Sequence, residues 1–352
     1  MKISVTAPRV ICENPNSIHN YFGWPSVARL QDGSLAAVAS GFRTKHVCPF
    51  GKAVLCRSTD EGETWSAPET VIDTPLDDRD SGIVPFGDNQ VIVTSFNNTI
   101  AFQRGMGGVT PYALAYLDEA EKRDPEPHFL GSTFTLSRDG GKTFSGFYRS
   151  PVTCPHGPCV LPDGTLLYIG RTFSANDAQR STDCIQCWRV SSDGTCSYLS
   201  SIANIRADLL SCEPHAIVTK SGKILVHIRV QNRETFTVYQ SVSTDMGRTF
   251  SAPVQLLGDL GGSPAHLIQH SSGVIYSVYG YRQVPYGIRV MKSTDDGETW
   301  ETDNVLWDGG PDGDLGYPCS VELSDGRILT VFYTHMAKGQ PAVIAQIVWK
   351  EE

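Results

Sequence analysis

Ten cysteines, nine histidines and several tightly spaced groups of aspartates are the side chains of this 352-residue chain whose spacing first suggests chemistry. Cys184-Ile185-Gln186-Cys187 has the separation of a zinc or dithiol pair, and Cys154-Pro155-His156-Gly157-Pro158-Cys159 sets an imidazole between two thiols. A structural zinc site would use a second Cys-x-x-Cys, which the chain lacks, so the cysteines are expected to be reduced and packed in a core. Four aspartates share one setting, Ser-x-Asp-x-Gly-x-Thr-aromatic: Asp60 before Trp65, Asp139 before Phe144, Asp245 before Phe250 and Asp295 before Trp300. A shortened copy reads Ser191-Ser192-Asp193-Gly194-Thr195. The pattern fits a tight turn in which Asp and Thr side chains bond the turn's own backbone, Gly takes a positive φ and the aromatic ring plugs a core. These aspartates hold loops and are not catalytic.

The elements that carry these turns follow from their spacing. From the second copy onward the first serines stand at 137, 191, 243 and 293, in steps of 54, 52 and 50 residues, the period of a four-stranded propeller blade. A second repeat sets Gly turns between short apolar runs at Gly33, Gly87, Gly164, Gly222, Gly273 and Gly326. Six hairpins predict six blades, hence an all-β, six-bladed β-propeller forming a single domain over residues 1–352. The one long step, from Gly87 to Gly164, contains a Gly-rich and then charged stretch, 104–128, that reads as an insertion in blade two. Closure is expected between an N-terminal strand in 3–11 and the C-terminal 342–349, since open sheet edges must otherwise remain.

Composition narrows the partners. A net charge of −9 without a basic run argues against nucleic acid or an anionic membrane. No apolar run is long enough for a spanning helix, and the opening Met-Lys-Ile-Ser-Val-Thr-Ala-Pro is too short and polar for a signal peptide, so the chain as given is expected in the cytoplasm. No motif implies a metal or organic cofactor.

The repeat resembles the sialidase superfamily of six-bladed propellers with Asp-box turns, and the resemblance covers nearly the whole chain. It implies hydrolysis of a terminal acidic sugar. The sugar's carboxylate would repel an Asp or Glu nucleophile, so the family uses a tyrosine deprotonated by a glutamate and clamps the carboxylate with three arginines. In the family's order, this chain offers Ser211-Cys212-Glu213-Pro214-His215, then Val226-His227-Ile228-Arg229, then Tyr279-Gly280-Tyr281-Arg282, then Asp314-Leu315-Gly316-Tyr317-Pro318. The resemblance thus implies Tyr317 as nucleophile, Glu213 as its base, and Arg229 and Arg282 on the substrate acid, with Arg289 a rival for the Arg282 role.

The first blade departs from the family. Where the family reads Tyr-Arg-Ile-Pro, this chain reads Phe22-Gly23-Trp24-Pro25, and the first clamp arginine is missing. Arg43 keeps a second family arginine, while the neighbourhood of the acid/base aspartate holds His46 and no carboxylate. Histidine can serve as acid or base near neutral pH. Asp78 or Asp80, in Asp77-Asp78-Arg79-Asp80, is an alternative acid, and Lys45, Lys52 or Arg79 could replace the lost cation. His156 and His215, each just before an inner strand, are expected to point toward the same central end and to contact substrate. A changed acidic or modified sugar follows from these departures. A propeller glycosidase or polysaccharide lyase using His46, and a non-catalytic glycan-binding propeller, are the alternatives.

Overall fold

The computed structural model describes residues 1–172 and 185–352. The described residues form six antiparallel sheets of four or five strands, arranged as the blades of a propeller. Blade one runs through Tyr21–Arg29, Leu35–Arg43, Lys52–Ser58 and Glu69–Ile72, with the first of these innermost. Blades two, three, four and five begin at Arg79–Phe86, Val152–Thr153, Leu210–Val218 and Ala265–Gln269. Blade six is built of Gly316–Glu322, Ile328–His335 and Ala342–Glu351, and two N-terminal strands, Ile3–Val5 and Arg9–Cys12, complete it from outside. Their registers, Val5 opposite Trp349 and Arg9 opposite Gln346, close the ring.

All six predicted turn glycines have positive φ, from 51° at Gly87 to 97° at Gly273, and connect the first strand of a blade to its second. The Asp boxes connect the third strand to the fourth, at the same end. In the first box, Thr64 N–H donates to Asp60 Oδ1 at 2.8 Å and Gly62 N–H to Ser58 Oγ at 2.8 Å. The shortened copy keeps only part of this, with Thr195 N–H donating to Asp193 Oδ1 at 2.9 Å. The aromatic ring does more than plug its own blade. Trp65 donates Nε1–H to Gln346 of blade six at 2.8 Å, and Trp300 of blade five donates to Gln240 of blade four at 3.0 Å. These two boxes therefore staple their blades to the preceding ones. Blade six carries no box because its third and fourth strands are opposite ends of the chain.

The stretch 104–128 is helical and wider than expected: α1 (Ile100–Gly105), α2 (Pro111–Lys122) and α3 (Glu126–Phe129) follow the second strand of blade two. Thr99 and Thr110 cap α1 and α2, each side chain accepting an orphan N–H of the first turn. Buried Ile100 and Leu117 anchor the helices on Leu76.

Candidate active site

One irregularity, repeated around the ring, builds the site. In blades one, two, four and six the innermost strand opposes two residues to one of its neighbour, between Gly23 and Ser26, Arg79 and Gly82, Cys212 and His215, and Gly316 and Cys319. The first extra residue takes a left-handed conformation each time: Trp24 (φ 55°), Asp80 (47°), Glu213 (47°) and Tyr317 (50°). A bulge of this kind re-aims a side chain, and positive φ at a non-glycine residue costs about 1–3 kcal/mol and persists only where the surroundings hold it. Four large side chains are thereby turned toward the end of the propeller opposite the Asp boxes.

At that end the Tyr317 hydroxyl donates to Glu213 Oε1 at 2.8 Å. Arg229 Nη1 donates to Glu213 Oε2 at 2.5 Å and to Tyr317 Oη at 3.0 Å. Arg282 lies over the Tyr317 ring at 5.8 Å and donates Nε–H to Leu315 O at 3.0 Å. The structure thus brings together, from three blades, the four residues that the resemblance groups. Burial, followed by the Glu213 charge, pushes the Tyr317 phenol well above its ordinary value. A cavity of about 670 Å³ adjoins this group, and Glu213, Asp80, Arg79 and His46 face it. Tyr317 is only 5% exposed and borders the cavity through Glu213 rather than lining it.

The two alternative aspartates separate. Burial raises both to about 7. Asp78, however, is sealed off, accepting from Thr74 N–H at 2.6 Å and from Asn97 Nδ2 at 3.3 Å. Asp80 faces the cavity, and among the described residues its Oδ1 has no hydrogen-bond partner.

His46 sits at the rim, 48% of its side chain exposed, and its Nδ1 lies 3.0 Å from Asp314 Oδ1. Sequence reasoning missed Asp314. This carboxylate also accepts from Tyr21 Oη (2.8 Å), Tyr333 Oη (3.0 Å) and His335 Nε2 (3.2 Å). Burial alone would raise Asp314, yet the bonds from His335 and His46 hold it far below the carboxylate range. Desolvation lowers His46, the Asp314 bond opposing it, so its imidazole is neutral at pH 7. The Asp314 bond raises His335.

Three expected ligand contacts are corrected. Arg43 is fully buried, its guanidinium engaged by Asp77 Oδ1 at 2.6 Å, Ser40 Oγ at 2.7 Å and His46 O at 2.9 Å, so it braces the site from beneath. His215 stands two residues past the Glu213 bulge, and His156 lies between Val152–Thr153 and Cys159–Val160, the paired segments of blade three. They line a separate cavity of about 300 Å³, where with His266 their rings pack at centroid distances of 4.1–5.6 Å. Arg289, the rival of Arg282, is buried and donates to Trp307 O at 3.0 Å and Pro285 O at 3.2 Å. Of the cations named as replacements, Lys45 reaches Gly107 O (2.8 Å) and Lys52 reaches Asp73 (2.6 Å), whereas Arg79 stacks 4.2 Å above the Trp24 ring and faces the cavity. Cys154 and Cys159 lie in two different core clusters, and Cys184 falls outside the described residues.

The description that matches the chain is the BNR repeat-like domain, over residues 120–330. No curated protein matches. Among solved structures, a protein of unknown function from Dyadobacter fermentans superposes with a TM-score of 0.79 at 21% identity, covering 99% of each chain. The NanB sialidase of Streptococcus pneumoniae gives 0.68 at 14% identity, over 97% of this chain and 70% of that one. The α-L-arabinanase of Penicillium chrysogenum gives 0.67 at 12%, over 98% of each. At these identities the likeness is one of fold.

Proposed function

The chain belongs to the BNR repeat-like domain family, and on that footing we propose that it is a sialidase-like exo-glycoside hydrolase acting on a terminal acidic sugar. The observation that carries this reading is the Tyr317–Glu213 pair, hydrogen-bonded at 2.8 Å with Arg229 bonded to both members. A glycan-binding module has no use for a phenol whose proton points at a carboxylate on the cavity wall.

The reaction divides into two displacements. Tyr317 Oη attacks the anomeric carbon while Glu213 takes the phenolic proton, the bond to the leaving oxygen breaks, and that oxygen takes the Asp80 proton. Water then attacks the same carbon, giving its proton to the Asp80 carboxylate, and Tyr317 leaves and regains its proton from Glu213. Arg229 and Arg282, with Arg79 in place of the absent first-blade arginine, neutralise the sugar's carboxylate.

Asp80 suits the acid role better than His46 does. An acid must carry its proton at working pH; Asp80, raised to about 7, does so, whereas His46 is lowered and has already lost its own. His46, held by Asp314, is a neutral hydrogen-bonding group at the rim.

The test is covalent trapping. A 2,3-difluoro analogue of sialic acid should inactivate the enzyme with a mass increase located on Tyr317, and Tyr317→Phe should abolish the label. Labelling of another residue, or rapid turnover of fluorogenic rhamnosides or uronides but of no nonulosonic acid glycoside, overturns the assignment.

A further inference from the structure

The cavity has two kinds of lining. Arg79, Asp80 and Glu213 are charged or ionisable, whereas Val47, Phe96, Ala101, Phe102 and Met106, with Asn98 and Thr99 among them, form a largely apolar wall. Phe102 and Met106 are large apolar side chains left 42% and 37% exposed. Leaving them so beside a charged cluster gives up burial that a bound apolar group would restore.

The wall is held firmly in place. Thr99 Oγ1 accepts from Phe102 N–H at 3.0 Å and Glu126 accepts from Ile100 N–H at 2.7 Å. Arg104 joins α1 to α2 through Asp118 at 2.7 Å and Glu121 at 2.9 Å. Lys45 ties the turn after α1 to blade one through Gly107 O. Phe102 is thus presented by a braced helix, and Met106 stands at that helix's C-cap.

Its position identifies what it touches. Phe96 is the strand partner of Arg79, the residue directly before Asp80, and α1 starts four residues after Phe96. The apolar wall therefore begins beside the acid, and the group that takes the acid's proton is the leaving group. We propose that the preferred substrate carries an apolar leaving group, an alkyl or lipid alcohol rather than a second sugar, seated against Phe102 and Met106. The proposal rests on the glycosidase reading with Asp80 as acid.

The probes are methyl and octyl α-glycosides of N-acetylneuraminic acid, which share sugar and leaving-group chemistry and differ only in apolar length. The preference is read twice: as the ratio of kcat/KM in the wild type, and as the ratio of Kd in Glu213→Gln protein, which keeps the wall whether or not a sialoside is turned over. Octyl is expected to be favoured at least about tenfold in both, the gain from burying roughly two methylenes. The ratio should fall below about threefold in Phe102→Ser/Met106→Ser and stay unchanged in Tyr112→Ser, on the outward side of the insertion. Turnover of both glycosides at equal kcat/KM overturns the inference and leaves the glycosidase reading intact. Wall-dependent tight binding of octyl without turnover upholds the apolar subsite and overturns the activity. Equal binding of the two, or binding of neither, overturns the inference.

Discussion

Asp78 and Asp80 stand two residues apart, both raised to about 7 by burial, and they differ in what surrounds them. Asp78 is ringed by Thr74 and Asn97 and serves the backbone; Asp80, on its bulge, faces open space. A shifted pKa marks a working group only where substrate can reach it. Two expectations follow at this scale. With Asp80 as the proposed acid, kcat/KM should fall as pH rises through about 7, and Asp80→Asn should remove this alkaline limb while lowering turnover about 10²–10⁴-fold. His46→Ala should cost less and leave the limb in place; a pH–rate profile of the three proteins checks both. Tyr317→Phe and Glu213→Gln should each lower kcat by a similar 10²–10⁴-fold with the melting temperature of Tyr317→Phe nearly unchanged, measured by steady-state kinetics beside thermal unfolding. That Tyr317, Glu213, Arg229 and Arg282 would meet was legible only through the resemblance, because their types and order match those of the sialidase superfamily. Arg43 was misread because a strand-end arginine looks the same whether it faces a ligand or a buried Asp77. Asp314 left no local signal, since it meets His46 across 268 residues of chain.

Among the elements, the Asp-box turn was the most legible and the most informative, because its hydrogen bonds are local and its glycine is conformationally required. What the sequence did not disclose is the direction of the aromatic ring, which reaches a neighbouring blade and so depends on packing. Trp300→Ala should remove the bond to Gln240 and the contact with Leu225 and Ile275, costing about 2–3 kcal/mol in denaturant unfolding, with activity at low denaturant retained. Equal stability of the mutant would show that the ring does not bind one blade to the next. The helical insertion was seen only as an interruption of the period; its Gly-rich start obscured the capping threonines that begin α1 and α2.

For the molecule as a whole, folding opposes the protonation of four buried imidazoles, three meeting on the axis and His227 lying between blades four and five. Burial lowers His156, His215 and His266 strongly and His227 to about 4. Each is neutral in the fold and takes a proton when unfolded below about pH 6.5, so stability falls as pH drops from there toward 4. Asp78 and Asp80 act oppositely, binding protons in the fold between about 7 and their unfolded values near 4. His46, lowered, joins the first set and His335, raised, the second, so five groups oppose three. The melting temperature should be lower at pH 5 than at pH 7.5, and His227→Gln should narrow the gap in scanning calorimetry. The six-blade count was readable from the glycines alone, whereas the meeting of histidines from different blades follows only from the ring's curvature. That curvature has one more effect. The circle is joined where Val5 and Arg9 lie against the last strand, with hydrogen bonds in place of chain continuity, and the site straddles this seam: Trp24 and His46 stand on one bank, Tyr317 and Asp314 on the other. The candidate site is therefore anchored at the point where the ring can part, and warming should disrupt it by prising the seam open before the blades themselves come undone.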